Sequence, residues 1–277
     1  MDFFQRVWQV ESSGETSVKF ALFERLFDDF KSGVFDDFSS RKSPAQSLTT
    51  PSYAAFCKVV ELKDFSQKTS LLNPTKASHP KLKLASLLHS VAHIEFSAID
   101  LGLDAAYRFD GLPREFYAEW LKVAEDEIRH FQILNSLLEK MGFSYGDFAV
   151  HNGLFAALQK TQHSLIERLA LIPRYMEANG LESNAMMQTK LAASGEEEVL
   201  AVLGVIFDEE ISHVGAGSKW FKFACEKEGV SCDEWFNIVK RHFPNAFKNT
   251  RELCEEARLQ AGFTPNEIAQ MRGLTKC

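Results

Sequence analysis

Two Glu-x-x-His units, Glu127-Ile128-Arg129-His130 and Glu210-Ile211-Ser212-His213, have the residue types and spacing best suited to chemistry in this sequence. On a helix a spacing of three brings both side chains to one face, so each pair can converge on one metal ion. A carboxylate with an imidazole suits iron or manganese, and one such pair on each of two helices is the ligand pattern of di-metal carboxylate bundles. A single unit of this kind arises by chance on charged helices; two on separate helices carry more weight. Their neighbours at helical spacing are apolar: Trp120, Val123, Ala124, Phe131 and Leu134 around Glu127, and Leu203, Ile206, Phe207, Val214 and Gly217 around Glu210. A solvated face would show polar neighbours instead. A carboxylate on an apolar stripe needs a cation or a proton to offset its desolvation. A buried Glu–His pair without metal is the competing reading, and it would have to occur twice.

A di-metal bundle also needs one carboxylate from each of its other two helices. Glu95 is the sole glutamate in the stretch from Lys81 to Arg108, and Leu88, Val91, Ala92, Ala98 and Ile99 share its face. It lies about as far before the Asp110–Pro113 break as Glu127 and His130 lie after it, so a hairpin folded there levels the three. The remaining helix offers Glu167 and Glu177. Glu167 shares its face with Lys160, His163, Ser164 and Arg174, as well as Ala170 and Leu171; Glu177 follows Ile166, Leu169, Ala170 and Pro173. Glu95 precedes Glu127 by 32 residues and Glu177 precedes Glu210 by 33, which favours Glu177 over the mid-helix Glu167. The expected ligand set is therefore Glu95, Glu127, His130, Glu177, Glu210 and His213.

These residues must be carried by long helices, and the apolar periodicity supplies them. One helix is expected from about Lys81 to Arg108 and a second from near Pro113 to Met141, with Gly142 as its C-cap. A third is expected from about Leu154 to Ala178, ending at Asn179-Gly180, and a fourth from about Glu196 to Ala224. Strand signals are nearly absent. The fold class expected is all-α, a ferritin-like four-helix bundle over residues 81–227. Residues 1–80 read as an N-terminal extension packing on it, with a helix at Thr16–Lys31 and irregular stretches at Phe38–Pro51 and Ser66–Pro80. Residues 228–277 read as a helical tail broken near Pro244 and Gly262.

Composition is that of an ordinary globular chain, 45% hydrophobic and 25% charged, with 24 phenylalanines. A formal charge of −7 argues against general binding of nucleic-acid phosphates. The five cysteines, Cys57, Cys225, Cys232, Cys254 and Cys277, form no C-x-x-C pair and read as reduced thiols in a cytoplasmic protein. Residues 1–10 do not make a signal peptide, and the longest apolar run, Val199–Phe207, is far short of the ~20 residues a membrane span needs.

Asp126 and Glu209 stand four residues before His130 and His213, where a carboxylate can receive the second N–H of a metal-bound imidazole. Asp126 pairing at the surface with Arg129 is the plainer reading. His93 falls on a different face from Glu95 and reads as structural or as a support to the ligands. Tyr145, Asp147 and His151 lie in the loop Phe143–Gly153, either beside a substrate or as loop caps.

Several motifs together carry a family resemblance. They are His93-Ile94-Glu95 with Ala98-Ile99-Asp100-Leu101, Asp126-Glu127-x-x-His130-Phe131, Tyr145-Gly146-Asp147-Phe148 and His151-x-Gly153-Leu154. To these are added Glu177-Ala178-x-Gly180-Leu181, Asp208-Glu209-Glu210-x-x-His213-Val214 and Gly217-x-x-Trp220-Phe221. Over roughly Lys81–Lys227 the chain resembles the ferritin-like family described as domain of unknown function 455. Asp126–His130 is also similar to the D-E-x-R-H motif of bacterial di-iron monooxygenases, in which Asp and Arg help to orient the ligands. The family resemblance implies a di-metal site and supports Glu177, whose family pattern is Glu-Ala-Arg-Gly-Leu-Asp; this chain departs from it at Asn179 and Glu182. The bundle is distantly similar to a tRNA hydroxylase acting on a prenylated adenosine. The expectation is a protein of two iron ions, with manganese or a mixed pair as alternatives. It would be an oxygen-dependent oxidoreductase or hydroxylase acting on a small molecule or modified nucleoside, with an electron-donor protein as partner. The competing expectation is a non-catalytic iron-binding or peroxide-detoxifying protein.

Overall fold

Pro80 opens the first long helix, where its missing N–H costs nothing and its fixed φ suits the first turn. The computed structural model describes residues 1–61, 79–248 and 252–275; most of the irregular stretch expected at Ser66–Pro80, and Cys277, lie outside them. The chain divides into two compact units, 1–160 and 161–277. The described residues are predominantly helical, and their only strands are the two-residue β1 (Val59–Val60) and β2 (Val150–His151), paired in parallel.

In the first unit, α3 (Pro80–Arg108) and α4 (Arg114–Lys140) form an antiparallel hairpin. Gly111, at φ +68°, makes the turn between them, where an L side chain would be strained. The Tyr117 hydroxyl ties the turn down, donating to Phe109 O and accepting from Leu112 N. Close packing sets the register: a Cβ on Gly102 would stand 3.1 Å from Trp120 O and 3.5 Å from the Ala124 Cβ. Seven residues earlier on α3, Glu95 therefore faces the turn of α4 that begins at Glu127.

Two earlier helices, α1 (Phe3–Glu11) and α2 (Thr16–Lys31), cover this hairpin. Their apolar anchor is an aromatic cluster in which Phe3 meets Phe30, Phe35, Phe38 and Tyr117 at centroid distances of 5.1–5.7 Å. Their polar anchor is buried. Lys19 Nζ, wholly enclosed, donates to Asp100 Oδ1 (2.6 Å) and to Glu11 O (2.9 Å), and Ser52 Oγ donates to Asp100 Oδ2 (2.6 Å).

The third helix differs from the expected Leu154–Ala178. It starts as α5 (Gly153–Lys160) and stops; Ser164 then caps a new helix, α6 (Leu165–Leu171), by accepting from Glu167 N. A π-helical segment, Ile172–Glu177, follows, and α7 (Ala178–Leu191) continues through Asn179-Gly180 without a break. Pro173 has no N–H to give and its ring crowds the preceding turn, so the hydrogen-bond ladder widens there. Gly180 does not end the helix because its flank is open and its conformation stays helical.

In the second unit, α6, the π-segment and α7 run antiparallel to α8 (Glu197–Glu228). The tail supplies α9 (Trp235–His242), α10 (Glu255–Gln260) and α11 (Pro265–Thr275). Arg174 leaves the π-segment into a cage of Phe221, Trp235 and Phe263 rings, 4.6–4.9 Å from its guanidinium, and pairs with Glu267 at 2.9 Å. Trp235 Nε1 donates to Ala170 O, pinning α9 to α6.

Candidate metal centre

The α3–α4 register brings three expected ligands together. Glu95, Glu127 and His130 are all buried, and one ligand atom from each lies within 4.8 Å of the others. His130 Nδ1 is 3.3 Å from Glu95 Oε2 and 3.5 Å from Glu127 Oε2. Burial, and then the neighbouring Glu127 carboxylate, hold the Glu95 carboxyl well above the usual range. Burial alone would lower the His130 imidazole, but the adjoining Glu127 and Glu95 carboxylates outweigh it and push His130 up to about 10. Burial thus favours the proton-bearing form of Glu95, and the adjoining carboxylates favour that of His130. A divalent cation can take the place of those protons, and two carboxylates with one imidazole are a donor set for iron, manganese or zinc.

The second unit carries the other Glu-x-x-His pair on α8, with His213 Nδ1 3.2 Å from Glu210 Oε2 and His213 buried. Its register with the opposing strand of helix follows from two contacts. Asn184 Nδ2 donates to Leu203 O, and Arg174 Nε donates to Ser218 Oγ. Glu177, between those points, falls level with the Glu210–His213 turn. Gly217 makes this approach possible: a Cβ there would lie 2.2 Å from the Pro173 Cβ. Glu167 is engaged elsewhere. Its carboxylate receives His242 Nε2 (2.9 Å), lies 3.3 Å from His163 Nε2 and pairs with Arg241.

Asp126 is buried yet accepts from the exposed Lys122 (2.7 Å) and the partly exposed Arg129 (2.9 Å). Both nitrogens of His93 are occupied, Nδ1 with the Tyr145 hydroxyl and Nε2 with His151 O, each at 2.8 Å. Burial lowers this imidazole to about 3, so it stays neutral. His89 Nε2 accepts from Gly146 N (2.9 Å), and Asn135 Oδ1 accepts from Tyr145 N (3.0 Å). Asp147 Oδ2 accepts from Ser144 N, and His151 Nδ1 from Gly153 N. The polar residues of the 143–153 loop thus fix its backbone, as loop caps do.

Near the trio, Phe131, the residue after His130, forms one wall of a cleft of about 550 Å³ with Ala55, Phe56, Asn135, Ser144 and Tyr145. Sequence reasoning missed this cleft because Gly14–Ser17 and Ala55–Phe56 come from the N-terminal segment. It also missed Arg258, whose guanidinium pairs with Glu182 (2.7 Å) and donates to Asn179 Oδ1 (3.3 Å). Those are the two positions where the chain departs from the family pattern. Both are partners of one arginine brought from α10, a contact 76 and 79 residues distant in sequence.

A helical protein with a buried Glu–Glu–His cluster on a helix hairpin, and a second Glu–His pair on another helix, is the class that fold and site define. The chain belongs to the family described as protein of unknown function (DUF455), which matches residues 12–269. It is 38% identical over 192 residues to an uncharacterised protein of Haemophilus influenzae, a match covering 66% of each chain. No solved structure matches it. Among the described residues no helix is long and apolar enough to cross a membrane.

Proposed function

We propose that this protein is a di-metal carboxylate oxidoreductase of ferritin-like architecture, working in the cytoplasm. In this reading Glu95, Glu127 and His130 hold one side of a two-iron centre, and Glu177, Glu210 and His213 hold the other. The observation that carries it is the buried Glu95–Glu127–His130 cluster, whose carboxylates need a cation or protons to be stable where they are. The repetition of Glu-x-x-His on α8, with Glu177 level with it, supplies a matching half.

When bound, two iron ions would supply the electrons and open coordination positions for dioxygen chemistry. The chain's own residues do the rest. Phe96 and Phe131, the buried residues next in sequence to Glu95 and His130, bring their ring centroids to 5.1 Å and would add an apolar surround to the trio. The cleft bounded by Phe56, Phe131 and Tyr145 offers an apolar seat for an organic substrate, and this favours an oxygenase over an iron store. A separate electron-donor protein is part of the proposal, since the chain has no C-x-x-C pair to hold a redox metal of its own.

Metal content measured with the optical response of the reduced protein to oxygen is the test. Two irons per chain and an oxygen-dependent transient are expected. Glu127→Ala and Glu210→Ala should each empty the centre, while Glu167→Ala should leave it loaded. A single redox-inert zinc, or full loading in Glu127→Ala, would refute the reading.

A further inference from the structure

A second cavity lies at the other end of α3. Its volume is about 440 Å³, and its lining includes Gln5, Trp8, Arg41, Lys42, Gln46 and Tyr107. Tyr107 is twelve residues beyond Glu95, roughly 18 Å along the helix axis, so this cavity is separate from the candidate metal centre.

Its chemistry is of three kinds. Trp8 is half-buried; its indole stacks on Tyr107 (centroids 5.2 Å apart, 29° between planes) and also lines the cavity. Arg41 and Lys42 provide two positive charges. Arg41 is held in place by its Nη1, which donates to Tyr107 O and Arg108 O, and by the Phe4 and Tyr107 rings, 5.7 and 5.6 Å from its guanidinium. Its Nε is enclosed and pairs with Asp110 Oδ2 at 4.0 Å. Lys42 is exposed. The amides of Gln9 and Gln46 can donate and accept along the edge of a ring. Asp2 also lines the cavity, but its carboxylate caps α1 by accepting from Gln5 N.

We infer that this slot binds a planar heteroaromatic ring bearing an anionic group, a free mononucleotide, with the base against Trp8 and the phosphate against Arg41 and Lys42. An aromatic face is a seat for any base, and a guanidinium beside an exposed ammonium is a seat for a phosphate. A volume within the ordinary range for small-ligand pockets, and a formal charge of −7, favour a free nucleotide over a polyanionic strand.

Trp8 makes the test direct. The other three tryptophans, Trp120, Trp220 and Trp235, are at most 3% exposed, so quenching by a stacked ligand reports on Trp8. Full-length protein is titrated with adenosine 5′-monophosphate, adenosine, inorganic phosphate and a short oligoribonucleotide. Saturable quenching by the monophosphate is expected, with weaker binding of adenosine and of phosphate alone. By equilibrium dialysis, Trp8→Leu and Lys42→Glu should each weaken binding by ~5-fold or more. Lys42 is an exposed side chain, so its variant keeps the test open if Trp8→Leu folds poorly. No saturable binding up to about 1 mM, or an affinity unchanged in both variants, would overturn the inference. Tighter binding of the oligonucleotide than of the monophosphate would overturn the assignment to a free nucleotide.

Discussion

Replacing Gly217 by alanine tests the register that sets Glu177 level with His213. A helical glycine in open space gains about 1 kcal/mol on becoming alanine. Gly204, on the same helix, has nothing within 4 Å of its would-be Cβ, so Gly204→Ala should stabilise by up to about that amount. At Gly217 the new Cβ would stand 2.2 Å from the Pro173 Cβ and 2.5 Å from its Cγ, where carbon atoms ordinarily rest about 3.5–4.0 Å apart. More than an ångström of overlap must be relieved, and the neighbour is a proline ring that cannot rotate away. Overpacking of this kind costs about 1–3 kcal/mol, and a rigid neighbour at this distance puts the site at the upper end, so after the propensity gain the net loss is about 2 kcal/mol. At roughly 2–4 °C per kcal/mol for a domain of this size, Gly217→Ala should melt several degrees below wild type and Gly204→Ala slightly above it. Because the π-segment has to move, metal content should also fall in Gly217→Ala and stay unchanged in Gly204→Ala. Thermal unfolding with metal analysis on both variants decides it. Equal stability of the two would refute the close approach and the position argued for Glu177.

Other outcomes follow from buried polar groups. Asp100→Ala leaves the wholly enclosed Lys19 ammonium without its carboxylate, and urea denaturation should show a loss of about 3–5 kcal/mol, smaller in the double variant Lys19→Met/Asp100→Ala. Burial holds His89 down at about 4, below its unfolded value near 6.5, so the folded state binds fewer protons than the unfolded chain. Stability should therefore be intact above pH 6.5, decline as pH falls from 6.5 to about 4, and decline less in His89→Gln, read by melting temperature against pH. Tyr145→Phe removes the hydroxyl from His93 and should cost about 0.5–1.5 kcal/mol in denaturant unfolding while leaving metal content unchanged.

Much of this architecture can be read from local signals. The α2 boundaries coincide with the Thr16–Lys31 periodicity, and α3 and α4 follow from the apolar periodicity, the Asp110–Pro113 break and Gly142. Glu95, Glu127 and His130 are legible because one hairpin of known turn position fixes their register. What periodicity does not carry is how a ladder adapts to an internal proline, so the π-segment at Pro173 and the continuation to Leu191 were not foreseen. Nor does it carry contacts distant in sequence. Glu167 is held by His242 and Arg241 from α9, and Lys19 by Asp100 from α3; in each case the partner is 74 or more residues away. The Trp8 slot is of the same kind, assembled from three segments that are each unremarkable alone.

The π-segment is equivalent to one residue inserted into an α-helix. Removing a residue between Ile172 and Tyr175 would restore the ordinary ladder, but it would turn one flank of the helix by about 100° against the other. The upstream flank is fixed by Trp235 on Ala170 and the downstream flank by Arg258 on Asn179 and Glu182. The two anchors can be satisfied together only with the extra residue in place. Single-residue deletions here are therefore expected to be among the least tolerated length changes in the chain, while insertions in the exposed turn at 192–195 should be accepted readily.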